Sequence, residues 1–146
     1  MVWRFYANTL EIYRKIMIKK YQIFADNLQI DLYKVILNIQ CGNSVFECFH
    51  ATNQLNYHRR FYTDNELKSM NGIFTVNENT NNWIVSFNLN KLTHSLIAHE
   101  AFHATLAIMK QKGCKLTEES EEAYAYLLDY IVQEITKMLA GYIKKG

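Results

Sequence analysis

The stretch LTHSLIAHEAFHATLAIMKQK, residues 92–112, decides how the rest of this chain is read. Leu92, Leu96, Ile97, Ala101, Phe102, Leu106 and Ile108 recur at helical spacing. They wrap so far around the axis that the pattern predicts a helix apolar on nearly every side, one that sits inside the domain. Lys110 and Lys112 fall where a helix C-terminus favours positive charge, and Gly113 suits the residue just past the end. Immediately upstream the period changes. Trp83, Val85, Phe87 and Leu89 alternate, and with the β-rich run 73–76 and the intervening NENTNN (77–82) they predict a hairpin. Before that, Thr63-Asp64-Asn65-Glu66 has the form of a capping box opening a short helix that Asn71-Gly72 ends.

Moving outward again, a last helix is expected over about 117–143, its first turn carrying Glu118, Glu119, Glu121 and Glu122, the charge that a helix N-terminus prefers. Residues 32–39 are rich in β-branched and large apolar side chains and suggest a strand, though their poor alternation leaves helix open. Residues 2–6 suggest a short strand, residues 8–24 a helix, and residues 46–62 carry no decisive pattern. Strands followed by helices give an α+β domain, a small sheet or hairpin preceding the 92–112 helix and a long C-terminal helix. At 146 residues, with no repeat or linker, the chain is expected to form a single domain, 1–146.

Composition narrows the function classes. Apolar residues make up 49% and aromatics 14%, too many for a disordered chain. A net charge of +2, with basic groups scattered at Lys19-Lys20, His58-Arg59-Arg60 and Lys144-Lys145, gives no electrostatic case for nucleic acid. Cys41, Cys48 and Cys114 are odd in number and lack CxxC spacing, which reads as free thiols in a reducing compartment. The first twenty residues lack the apolar core and cleavage site of a secretory signal, and no apolar run is long enough to span a membrane. A soluble cytoplasmic protein with no membrane partner is therefore expected. Proline is absent while Asn, Lys, Ile and Tyr abound, as in an AT-rich bacterial or phage genome.

Residues 99–103 read His-Glu-Ala-Phe-His. On a helix, positions four apart lie one above the other, so His99 and His103 can reach one Zn2+. Glu100, beside the first histidine, stands near the metal without having to bind it and can serve as general base for a zinc-activated water. Burying two imidazoles and a carboxylate in an apolar stripe without partners would be costly, and a metal satisfies all three. A catalytic zinc commonly has three protein ligands and an open position. His94 lies five residues before His99, well off the shared face; His50 and His58 carry no positional argument; Cys114 reads as a free or buried thiol.

Glu122, in the run Glu122-Ala123-Tyr124-Ala125-Tyr126, is the better candidate, with Glu118, Glu119 and Glu121 of the same acidic turn as its alternatives. HExxH followed on a second helix by Glu-x-x-Ala resembles the gluzincin class of zinc metallopeptidases, and the run is also similar to small zincin-like proteins of phages and prophages of gut bacteria. The resemblance spans residues from about 73 to the start of the last helix, roughly a third of the chain. It implies a minimal zincin-like fold, metal ligands His99, His103 and Glu122, catalytic Glu100, and a peptide or protein substrate in the cytoplasm of a bacterial host cell. It also implies a residue orienting a zinc-bound histidine four positions after the ligand glutamate; Tyr126 stands there, with Asp129 one turn on. From His103 to Lys112 a helix descends roughly 14 Å, whereas the four residues from Glu118 to Glu122 recover about 6 Å, so the connection must climb back for Glu122 to reach the metal. The strand 83–89 is a candidate to pair with substrate backbone, and Tyr124, Tyr126 or Tyr130 to steady an oxyanion. The competing readings are a catalytically silent zincin-fold protein acting through contacts in phage assembly or host interaction, and a zinc hydrolase of another substrate such as a cell-wall peptide.

Overall fold

Among the described residues two hairpins, three short helices and two long ones make the fold, and each hairpin closes where the chain can turn. The computed structural model describes residues 23–144; the expected strand at 2–6 and nearly all of the expected helix at 8–24 lie outside them. Strand β1 (Phe24–Ile30) turns through a 3-10 segment, Asp31–Tyr33, into β2 (Val35–Gly42), with Lys34 taking the left-handed conformation at the corner. Strand β3 (Gly72–Asn77) turns into β4 (Asn82–Asn88), and there Asn81 takes positive φ, which asparagine tolerates better than most residues. Asn77 Oδ1 accepts from the Asn79 and Thr80 amides and shapes that turn. Both pairs are antiparallel, β2 joins β4 in parallel, and the sheet order is β1-β2-β4-β3.

Between the hairpins run three short helices, α1 (Val45–Ala51), α2 (Leu55–His58) and α3 (Asp64–Ser69). The first two occupy the region whose pattern decided nothing. Thr63 accepts from the Glu66 amide and Glu66 accepts from the Thr63 amide, both at 3.1 Å, so the expected capping box is formed. These helices cover the far face of the sheet, where Val45, Phe49, Leu55 and Leu67 bury Ile84. Cover on both faces explains why β2 alternates poorly and why Ile84 and Ser86, between the alternating residues of β4, are buried as well.

The other face carries the main core: Leu28, Leu37, Ile39, Trp83, Val85 and Phe87 against helices α4 (His94–Gln111) and α5 (Glu121–Leu139). These two form an antiparallel helical hairpin. Tyr124, in the first turn of α5, donates to the carbonyl of Cys114, just beyond α4, and the amide of Lys144 donates to the carbonyl of Leu92, just before it. The helix α4 is apolar on one side only. Ile97, Ala101, Ala104, Ile108 and Met109 are buried, whereas Phe102 is 45% exposed and His99 and His103 face solvent. The expectation of a helix enclosed on nearly every side is corrected accordingly: Leu96, Leu106 and Phe102 supply the pattern but border the surface. Gly113, at φ 71°, follows α4 as its position predicted. No helix of the described residues is long and apolar enough to cross a membrane.

Candidate metal centre

Helix α4 begins at Thr93, whose hydroxyl accepts from the Leu96 amide, and this start fixes which residues face the sheet edge. The histidines lie on the side away from the core stripe. Their Nε2 atoms are 3.3 Å apart and their rings meet at 73°. Two nitrogens held at 2.0–2.1 Å from one tetrahedral ion stand about 3.3–3.4 Å apart. The pair therefore fits two corners of a zinc site, while 3.3 Å is long for a direct hydrogen bond between rings.

Glu100 differs from its neighbours in being buried, with 4% of its surface exposed. Its Oε1 lies 3.7 Å from His99 Nε2, and the backbone of Phe74 on β3 lies beside its carboxylate. Burial pushes the Glu100 carboxyl above its ordinary range, while the nearby histidines and the Phe74 amide pull it partly back. The carboxylate is thus the buried member of the triplet and the imidazoles, with 66% of the His99 side chain exposed, are not. The burial cost that argued for a metal from sequence applies to Glu100 alone.

Strand β3 explains why an amide is available to Glu100. Among the described residues it is an edge strand, and antiparallel pairing uses both backbone groups of alternate residues only. Asn88 donates to the Asn71 carbonyl, so the odd-numbered residues of β3 bond to β4 and Gly72, Phe74 and Val76 turn theirs outward. Beside this edge lies a groove of about 490 Å³ bounded by Tyr62, Ile73, Phe74, Glu100, His103, Leu106, Ala107 and Lys110. Strand β4, expected to meet a substrate backbone, is central and paired on both sides; among the described residues both β1 and β3 are edge strands, and β3 is the one beside the groove.

The other candidates are placed elsewhere. Glu122 is exposed in the first turn of α5, about 160° around that helix from buried Tyr124. Tyr124 is tied to Cys114 and Ser120 to the Lys115 carbonyl, so the connection does not climb back and Glu122 stays at the end of α4 remote from His99. Among the described residues no group of three or more His, Cys, Asp or Glu side chains is arranged to hold a metal; His99 and His103 are brought together, and Glu122 does not join them. His94 is exposed at the start of α4, and His58 is spent in the far-face core. Asp129 accepts from Gln133, Tyr124 is used at Cys114, Tyr130 donates to the Gln29 carbonyl at 3.4 Å, and Tyr126 is 71% exposed beside Leu32 and Tyr33. None of these borders the groove. Sequence reading missed Tyr62, the Phe74 amide and Lys110. Of these only Lys110 left a signal, standing seven residues after His103 on the same helical face.

Compared with known proteins, the chain matches no protein-family model, no curated protein and no solved structure.

Proposed function

We propose that the groove between β3 and α4 is the site of a zinc-dependent peptide hydrolase, with His99 and His103 holding the metal and Glu100 acting as general base. The observation that carries this reading is the 3.3 Å spacing of the two Nε2 atoms with a buried carboxylate beside them. When bound, zinc lowers the pKa of water to about 7 and polarises a carbonyl. Glu100, its affinity for protons raised by burial, takes a proton from the attacking water and delivers it to the departing amine. The Phe74 backbone lies beside the carboxylate, and the outward groups of Gly72 and Val76 offer an extended peptide a strand to pair with. Tyr62 also lines the groove and supplies a phenol as the candidate donor to a developing oxyanion.

Glu122 as third ligand rests on the resemblance alone, since its placement at the far end of α4 does not support it. That same shortfall favours the second reading, a protein that binds peptides in the groove without cleaving them. Metal content and turnover separate the two. Wild-type protein purified without added metal should carry about one zinc per chain. Glu100→Gln should keep the zinc and lose hydrolysis by at least a hundredfold. Metal retained in Glu122→Ala removes Glu122 from the site. No metal in the wild type after zinc is offered would falsify the hydrolase reading.

A further inference from the structure

Lys110 ends the groove that begins at Glu100 and His103. Seven residues beyond His103, it lies 20° short of two full turns, on the same face and roughly 10 Å along the axis. Helical side chains lean toward the N-terminus, which brings its ammonium back over the groove. Among the described residues Lys110 has no carboxylate partner, and the walls between it and Glu100 are apolar, formed by Ile73 and Phe74 with the helix side chains opposite. A cation at the mouth of such a slot attracts an anion more strongly than one in open solvent.

We propose that Lys110 selects peptides carrying a carboxylate two to three residues from the bond at Glu100. The inference rests on the groove being the peptide site argued above. Gly72 packs against Leu96 and Phe74 lies beside Glu100, so β3 and α4 run in the same direction. A peptide pairing antiparallel to β3 runs against α4 and presents an acidic side chain N-terminal to the reacting bond. A peptide pairing in parallel presents its C-terminal carboxylate instead. At about 3.3 Å per extended residue, either spans the distance to Lys110. A role confined to the dipole of α4, which any cation near its last turn fills, leaves peptide choice untouched.

The test uses alanine-rich hexapeptides, blocked at both ends, with one Glu or its isostere Gln moved through each position, and the same frame with a free C-terminal carboxylate. Binding to full-length zinc-loaded Glu100→Gln protein is read by fluorescence anisotropy, and cleavage by the wild type by mass spectrometry. The expected result is about five- to tenfold tighter binding of Glu over Gln at one position, or of the free acid over the amide, weakening with added salt. The first arm identifies a side chain and the second a chain end. Lys110→Gln should erase the preference, Lys110→Arg keep it, and Lys110→Glu transfer it to Lys-bearing peptides. An unchanged preference in Lys110→Gln, equal binding of all peptides, or binding of none overturns the proposal. Carboxylate preference without cleavage leaves it standing while the hydrolase reading falls, and cleavage without preference does the reverse.

Discussion

His58 shows how one residue type divides between structure and chemistry in this chain. Its ring stacks on Phe49 at 3.9 Å, with Nδ1 2.7 Å from the Gln54 carbonyl and Nε2 2.9 Å from the Thr75 hydroxyl. A carbonyl can only accept, so Nδ1 carries the proton and Nε2 accepts from Thr75, which satisfies the neutral ring completely. Burial holds the His58 pKa below its ordinary value. The unfolded chain therefore binds more protons than the folded one between the lowered value and about 6.5, and stability is lost as pH falls through that window. Glu100, with its raised pKa, acts in the opposite sense at lower pH, so the comparison must be with a variant. The melting temperature of wild type should drop between pH 7.5 and 5.5 by more than that of His58→Gln. Direct NMR titration should place the His58 midpoint below 6.5. Equal slopes with an ordinary midpoint would remove the assignment. His99 and His103, by contrast, are left to solvent, and that contrast is what a sequence cannot display: five histidines look alike until the fold buries one.

Elements were legible where local chemistry fixes them. The box at Thr63 and Glu66, the hairpin over β3 and β4, and the end of α4 at Gly113 stand where their residues placed them. The box gives a simple check. Thr63→Ala removes one cap acceptor from the helix that seats fully buried Leu67. It should cost about 1 kcal/mol, a fall in melting temperature of roughly 3–4 °C, measured by calorimetry; no change would mean that α3 frays in the wild type. What stayed illegible was decided by neighbours far away in sequence. Helices α1 and α2 depend on the sheet beneath them, and the face of α4 that meets water depends on where α5 docks. The distance between Glu122 and the histidines depends on the Ser120 and Tyr124 bonds that close the connecting loop. Within the site, HExxH gave two juxtaposed histidines and their adjacent carboxylate, while Tyr62 and Phe74, which complete the groove, come from other elements without a motif of their own.

For the whole molecule, the controlling feature is the parallel contact of β2 with β4. Each hairpin closes locally, but this central seam joins residues such as Asn38 and Trp83, 45 positions apart, with the Asn38 side chain donating to the Trp83 carbonyl. Hairpins form in about 1–10 μs, whereas the long closure loses chain entropy before any contact repays it. We therefore predict that Val85→Ala, within the seam, mainly slows refolding, and that Leu67→Ala, beneath a peripheral helix, mainly speeds unfolding. Stopped-flow chevrons would show it, and equal partition between the two limbs would sink it. During synthesis the same seam sets a waiting time. At 5–20 residues per second, the ribosome needs roughly two to ten seconds to deliver β4 after β2 has emerged. For that interval the Val35–Gly42 strand has one unpaired edge and an uncovered apolar face, the two conditions under which nascent chains stick to one another. Slow translation of residues 43–88 should therefore lower the soluble yield of this protein.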